Sequence, residues 1–506
     1  MITSSLLTAG KRWDGLQVAA RLRSIFCFPV MLAAGLTFLA FLTCSSRFDD
    51  PDLWWHLKVG QIIWNTHQIP RTDLFSFTAL GHSWVDHEWL SQLVLYVVYH
   101  AGGYPALVLW LCVIASTIVV LTYVLCGCWS GNWKVSLLGA IAALFFLTVS
   151  LAIRPLLIGH LFLVVELLLL YYGIVRRGRS IWALPVLFVV WANCHGSFLL
   201  GLFILMFAVA RSCLKFAARR LRPGCDRAIA IRLGVVLGLS LLAPLINPVG
   251  LSLVTYPVNV AWAQPEGTGN VEEWKALDIH DPRAIGLAAV LALVVIVSIV
   301  RRRSISAGEW SVLAPAAAMA LLHARMTPVF GFAAAPVVCR LLAASWENYD
   351  RRRDRPAVNL FLIAAAGFMS LAVLPDTATI QRQIATREPV AAVTEIQASQ
   401  LGGPLLNDYA WGGYLIWSNP AQPVFIDGRS DVFEEIGVFR AYGRWAMLQE
   451  DPQKLLDQYG IRTCLIRSSA PMAHVLPYLP GWKRVYADKL AEVFTRNDSY
   501  KSVVQR

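Results

Sequence analysis

Apolar runs of about 20 residues, the length that crosses a bilayer as a helix, recur through the first three quarters of the chain. Short polar and basic segments separate them. The pattern predicts helices near 25–44, 104–127, 135–152, 155–175, 181–195, 196–213, 230–247, 284–300, 308–323, 327–344 and 357–375, about eleven spans in all. The stretch Trp89 to His100 is apolar but short, and reads either as an interfacial helix or as the start of a longer second helix. From residue 376 the pattern changes: charged residues return and the apolar runs shorten. There "PVFIDGR" and "TCLIR" read as buried strands, "VFRAYGRWAMLQ" and "PQKLLDQYG" as helices, and "KRVYADKLAEVFTR" as a strand pair about a turn near Asp488. The expected fold is a polytopic α-helical membrane protein, residues 1–375, with a C-terminal extracytoplasmic α/β domain, residues 376–506.

Composition narrows this reading. With 57% hydrophobic and only 15% charged residues in 506, the chain cannot be one soluble globular domain. The formal charge of +12 would raise nucleic-acid binding for a soluble protein. Here, however, the basic residues cluster between apolar runs, at Lys11/Arg12/Arg21/Arg23, Arg176/Arg177/Arg179, Lys215 to Arg232, Arg301/Arg302/Arg303 and Arg351/Arg352/Arg353/Arg355. That is a topology signal, and no nucleic-acid partner is expected. With the N-terminus cytoplasmic, the clusters after the fourth, sixth, eighth and tenth spans face the cytoplasm. The loop 45–103, the turns at Arg154, His195 and Arg325, the loop 248–283 and the C-terminal domain then share the extracytoplasmic face. The first apolar run lacks a small-residue cleavage site and reads as an uncleaved span. The ten cysteines lie mainly inside apolar runs, which indicates neither a disulfide framework nor a zinc site, and no GxGxxG loop suggests a nucleotide.

The polar residues assigned to the extracytoplasmic face are the candidates for chemistry. "RFDDPDLWWHLKVGQ" places Asp49, Asp50 and Asp52 beside Trp54 and Trp55 just beyond the first span. Carboxylates that close raise one another's pKa, which suits a general base. A helix after Pro51 would set Asp52 and His56 at i and i+4, a spacing compatible with a divalent cation such as magnesium or manganese. The alternative is a helix cap at Asp49 or Asp50 with interfacial tryptophans. "SWVDHEWL" adds Asp86 and Glu88. Arg154, Asn193, His195, His323 and Arg325 sit in or near apolar runs, where polar groups are costly. Arginine's planar fork matches phosphate oxygens, so Arg154 and Arg325, with His195 near, suit a donor head group. Glu272, Glu273, Trp274 and His280 in the loop 248–283, and Asn407, Asp408, Tyr409, Trp411, Asp427, Arg429 and Asp431 in the C-terminal domain, complete the candidates, with Glu272, Trp274, Asp408, Asp427 and Arg429 as acceptor or accessory residues. Asp427 and Arg429 read equally as a pair that locks a turn.

These motifs resemble the GT-C superfamily of membrane glycosyltransferases. "FDDPDLWWHLKVGQ" is similar to the acidic first-loop motif of oligosaccharyltransferase catalytic subunits, and "NDYAWGGYLIW" is faintly similar to the WWDYG motif of their soluble domain. In order, "DPDLWWH", "PRTDLFSFT", "WVDHEWL", "NPVG" and "FIDGRSD" resemble a group of bacterial multi-pass proteins described as glycosyltransferase-like. The resemblance implies that Asp50 and Asp52 orient or deprotonate an acceptor, sometimes with a divalent cation, and that Asp86 and Glu88 form a second acidic motif. Because "DYAWGG" is not WWDYG, it does not imply recognition of an asparagine sequon.

The expected function is transfer of a sugar from a polyprenyl-phosphate-linked donor to an envelope glycan, lipid or protein, on the outer face of a bacterial inner membrane. The alternatives are a non-catalytic envelope assembly factor and a transporter or flippase for an envelope lipid. The latter lacks two homologous halves.

Overall fold

The computed structural model describes residues 25–217, 225–256, 274–301 and 305–497. Its first part is a bundle of helices α1 (Phe28–Cys44), α2 (Leu53–Thr66), α3 (Trp89–Ser130), α4 (Trp133–Leu147), α5 (Pro155–Leu170), α6 (Leu184–Cys194), α7 (Phe198–Ala217), α8 (Cys225–Leu242), α9 (Pro282–Val300), α10 (Ala307–Leu322), α11 (Thr327–Leu342) and α12 (Pro356–Ala372). Helix starts follow local chemistry. Proline opens α5 and α12, where a missing N–H costs nothing. Asn132 accepts from the N–H groups of Lys134 and Val135 at the start of α4. Ser306 and Glu309 form a reciprocal capping box on α10.

Among the described residues six helices are long and apolar enough to cross a membrane, or seven if the bent pair Pro356–Ala372 and Thr377–Arg387 is one span. Four more apolar helices, Phe28–Cys44, Ser180–Cys194, Phe198–Leu214 and Ala307–Leu322, have 10–17 residues. Two of the four, Ser180–Cys194 and Phe198–Leu214, are separated at the turn His195–Gly196, where the expected spans 181–195 and 196–213 also part. The stretch from Trp89 takes the second of its two expected forms and begins the 42-residue α3, broken at Gly102 and Gly103. Inside the bundle α4 packs against α3 and α11. Gly139 makes that approach possible, since a Cβ there would stand 2.4 Å from Cys339 Sγ.

The C-terminal part comprises α13 (Thr377–Arg387), α14 (Val390–Ala398), β1 (Leu405–Asn407), α15 (Gly412–Ser418), α16 (Ser430–Glu435), α17 (Val438–Ala446), α18 (Pro452–Gln458), β2 (Thr463–Arg467), α19 (Pro471–Val475), β3 (Trp482–Ala487) and β4 (Ala491–Arg496). The strands form one sheet in the order β1-β2-β4-β3, with β1 parallel to β2 and the other pairs antiparallel. Four of the five expected C-terminal elements are present. The exception is "PVFIDGR", which makes only an isolated bridge from Val424 to Ser76 of the first loop. The segment runs along that loop instead of joining the sheet, with Phe77 N–H donating to Val424 O at 3.1 Å and Thr78 Oγ1 to Phe425 O at 2.6 Å. An apolar sequence of this kind cannot reveal which partner its backbone takes.

Loop and C-terminal part are therefore packed as one body. Trp54 donates to Glu388 Oε1 at 2.9 Å, α2 packs on α15, and Arg429 is enclosed between Asp427 and Asp73 at 2.6 Å from each. The Arg429 guanidinium also stacks between Phe75 and Trp84, each 4.9 Å from its centre. All three charges of this triad are fully enclosed, a state that persists only because each is paired and hydrogen-bonded.

Candidate functional site

The first acidic motif forms a turn ahead of α2. Asp50 accepts the Asp52 N–H at 2.9 Å through Oδ1, and its Oδ2 faces Arg154 Nε at 3.2 Å. Arg154 stands immediately before Pro155, which opens α5, so the tip of an apolar helix carries the cation. Asp52 occupies the residue before α2 but does not cap it; its Oδ1 accepts from Trp55 Nε1 at 3.1 Å. The chain of the C-terminal part passes so close that a Cβ on Gly428 would lie 1.8 Å from that oxygen, and only glycine fits. Burial, with the neighbouring Asp50 charge second, pushes the Asp52 carboxyl up to about 7. Asp49 is exposed and pairs with the exposed Arg387 at 3.6 Å.

These groups form one wall of a cavity of about 1230 Å³. Asp49, Asp50, Asp52, Arg47 and Arg154 line it from the bundle side, and Lys275 from the segment before α9. Tyr409, Gly428 and α17 close it from the C-terminal part. A volume of that order exceeds that of an ordinary small-molecule site, about 300–1,000 Å³.

The second acidic motif is not among the groups lining this cavity. Asp86 is enclosed, accepts from Gln92 Nε2 at 2.8 Å, and is pushed up to about 7 by burial. Glu88 stands among three imidazoles: His195 Nε2 at 3.4 Å, His87 Nε2 at 3.6 Å and His56 Nε2 at 3.9 Å. Burial, then Asp86 and Asp52, push Glu88 up to about 8. Burial also lowers the two loop histidines, His87 to about 4 and His56 well below its ordinary value. Ser197 N–H donates to His195 Nδ1 at 2.9 Å, which leaves the ring proton on Nε2, toward Glu88. The Tyr256 ring lies tilted against His87 with ring centres 4.8 Å apart, and its hydroxyl donates to Asp431 at 3.1 Å.

The other expected site residues fall into separate places. Asp52 is at the cavity, whereas His56, expected to share a cation with it, has Nε2 turned to Glu88. Among the described residues no group of three or more His, Cys, Asp or Glu side chains is spaced to hold a metal ion. Of the residues expected to hold a donor phosphate, Arg154 lines the cavity; Arg325 lies over the Trp274 ring at 4.4 Å, and His195 belongs to the Glu88 cluster. Asn193 accepts from Trp89 Nε1 at 2.8 Å, and His323 Nδ1 bonds Trp274 O at 2.7 Å. Asp408 faces Arg467 at 3.3 Å, and the turn of Asp427 and Arg429 is locked as read, with Asp73 as a further partner. Glu272 and Glu273 lie outside the described residues. Sequence reasoning passed over Asp73, Glu388 and the wall of Tyr442 and Arg440. Only Asp73 carried a signal, inside the "PRTDLFSFT" phrase.

No family model and no curated protein matches the sequence. Among solved structures, the chain is similar to the apo crystal structure of the Archaeoglobus fulgidus oligosaccharyltransferase, with a TM-score of 0.50 and 10% identity. The match covers 86% of this chain and 69% of that one. At this identity the likeness is one of fold.

Proposed function

We propose that the chain is a membrane glycosyltransferase of GT-C type that moves a sugar from a polyprenyl-phosphate-linked donor to an acceptor at the extracytoplasmic face of a bacterial inner membrane. One observation carries the reading: the buried Asp50, the half-buried Asp52 and Arg154 share the wall of a large cavity at the tip of an apolar helix. The fold likeness agrees with it, since the similar structure is an oligosaccharyltransferase. The basic clusters between apolar runs support the sidedness, and the four shorter apolar helices, added to the longer ones, support a count near eleven crossings.

Asp52 is the base. Both oxygens of Asp50 are engaged, whereas Asp52 keeps one oxygen on Trp55 and lines the cavity. As the acceptor oxygen bonds to the anomeric carbon, its proton passes to Asp52. The bond from that carbon to the phosphate oxygen breaks, and the electron pair leaves on the phosphate, where Arg154 meets the charge. A single displacement inverts the anomeric configuration. Both Asp50 oxygens are taken and Asp52 serves as the base, so these residues do not fit a magnesium or manganese ion, and no step runs through one.

The test is release of polyprenyl phosphate from a panel of polyprenyl-phosphate-linked sugars by the purified chain in lipid nanodiscs, with bacterial envelope extracts supplying the acceptor. Turnover that Asp52→Asn abolishes is expected; turnover equal in both proteins sinks the assignment of the base, and absence of turnover with every donor and extract sinks the enzyme. Native mass spectrometry tests the donor site separately: a co-purifying polyprenyl-phosphate species should be lost from Arg154→Ala.

A further inference from the structure

An aspartate just ahead of a helix ordinarily has an extended backbone and accepts an N–H group of the first turn. Asp52 does neither. Its backbone is helical, with φ −80° and ψ −19°, and its side chain caps nothing. Three residues on, Trp55 stands on the same face of α2, and its Nε1 donates to Asp52 Oδ1 at 3.1 Å. An indole has thus replaced the helix end as the partner of this carboxyl, and among the described residues it is the donor that holds it.

The indole is fixed where it stands. Trp55 is buried, with its ring 3.7 Å from the His56 ring and edge to face with Trp84 at 6.1 Å, and Trp84 in turn carries the Arg429 guanidinium. Two glycines of the C-terminal part close over it. A Cβ on Gly413 would stand 3.3 Å from Trp55 Cδ1, and one on Gly428 would stand 3.3 Å from Nε1 and 1.8 Å from Asp52 Oδ1. The Gly428 backbone therefore covers the donor and the oxygen together, and a hydrogen bond so enclosed is stronger than one in water.

On the reading that Asp52 is the base, we propose that Trp55 is its positioning residue, holding Oδ1 so that the acceptor's proton passes to Oδ2. The acceptor O–H bond breaks as its oxygen bonds to the anomeric carbon, the proton joins Oδ2, and the phosphate leaves with the electron pair of the broken bond. The indole acts twice here. It keeps the carboxyl in one orientation at the cavity wall, and as a donor it favours the charged form against burial and the Asp50 charge. Besides Asp50, the groups that face Asp52 are Glu88 in the first loop, Arg154 at the tip of α5, and Tyr409 and Asp427 in the C-terminal part. All of these stay when only the indole N–H is removed.

The experiment removes that N–H and keeps the ring. Trp55→benzothienylalanine puts sulfur in place of the nitrogen in a ring of the same shape, and Trp55→Phe is a coarser variant. Infrared difference spectra of the full chain in nanodiscs, taken across about pH 5 to 9, follow the carboxyl band that Asp52→Asn lacks. Its midpoint in the wild type is expected at about 7. In the isostere it should lie about one pH unit higher or more, because the charged form has lost a donor. The onset of polyprenyl-phosphate release should move up with it, and kcat should fall about tenfold or more with KM kept. A midpoint equal to the wild type's overturns the proposal even where kcat falls, since the ring would then be merely structural. So do spectra in which Asp52→Asn lacks no band. If Trp55→Phe unfolds, the isostere decides. Turnover that survives Asp52→Asn removes the base itself and the proposal with it; turnover lost in Asp52→Asn beside an unmoved midpoint leaves the base standing and removes Trp55 alone.

Discussion

Asp52 and Glu88 are both carboxyl groups drawn out of water in one loop, yet Asp52 stands at the wall of a cavity of about 1230 Å³ and Glu88 stands among three imidazoles. Burial raises both, and the neighbours decide what each can do. Asp52 has Asp50 and Arg154 beside it, a charged pair turned to the space where a substrate fits. Glu88 has His56 and His87, whose rings burial keeps neutral near pH 7, and a third ring whose Nε2 proton points toward it. Burial and the Asp86 and Asp52 charges outweigh Arg325 and hold Glu88 as an acid that stores a proton, whereas a carboxyl with Arg154 beside it can release its proton and act as a base. The lesson is that an acidic motif should be ranked by what faces it, since residue type and loop are shared here.

The comparison breaks first at what both motifs rest on. Arg429→Met leaves Asp73 and Asp427 enclosed without their cation, and should cost about 3–5 kcal/mol. The midpoint of thermal unfolding in detergent should fall steeply and protease should open the first loop; a midpoint within a degree of the wild type would show the triad to be ornamental. Next is the base itself. Asp52→Asn should lower sugar transfer by about 10²- to 10⁴-fold with the unfolding midpoint kept, while Asp86→Asn, remote from the cavity lining, should lower it far less. Equal losses in the two variants would erase the distinction between the motifs.

A pH series sharpens the other side. Folding raises Glu88 from an ordinary value of 4.5 to about 8. Between those values the unfolded chain has released a proton that the folded chain retains, so the Glu88 contribution falls as pH rises, opposed below pH 6.5 by His56 and His87, whose lowered values work the other way, and unopposed by them above it. One such proton contributes a slope of up to about 1.4 kcal/mol per pH unit. Glu88→Gln should flatten the decline, in part only because Asp86 and Asp52 shift the same way; an unchanged slope would place the proton elsewhere. The smallest effect belongs to Asp49→Asn. Its pairing with Arg387 is solvent-screened, so stability should change by at most about 0.5 kcal/mol and transfer should stay near wild type. A large loss would make the motif a triple and not a pair.

Much of this was legible along the chain, for reasons that differ by residue. Asp50, Asp52 and Arg154 stood out because charge at the end of an apolar run is costly, a fact of composition and position alone. The apolar segments and the C-terminal elements followed from periodicity. The spans 181–195 and 196–213 show both sides: the turn at His195–Gly196 was legible, whereas the start of regular α-helix at Leu184, beside Pro185, was not. The pairing of Asp73 with Arg429, 356 residues apart, left no local trace. The same is true of His56, whose i+4 relation to Asp52 suggested a shared ion although its Nε2 faces Glu88. "PVFIDGR" had the composition of a strand and lies along a loop, because backbone partners are chosen by tertiary packing.

The clasp between Asp73 and Arg429 also has a consequence for the order of events on the ribosome. Asp52 is made among the first residues of the chain, but the glycine, tyrosine and arginines that finish its surroundings are made among the last. At about 5–20 residues per second, tens of seconds separate the synthesis of the two halves of that clasp. During that interval Asp73 is an unmatched charge and the first loop has no counterpart to fold against. A nascent chain that stops early therefore carries the acidic motif but no finished site.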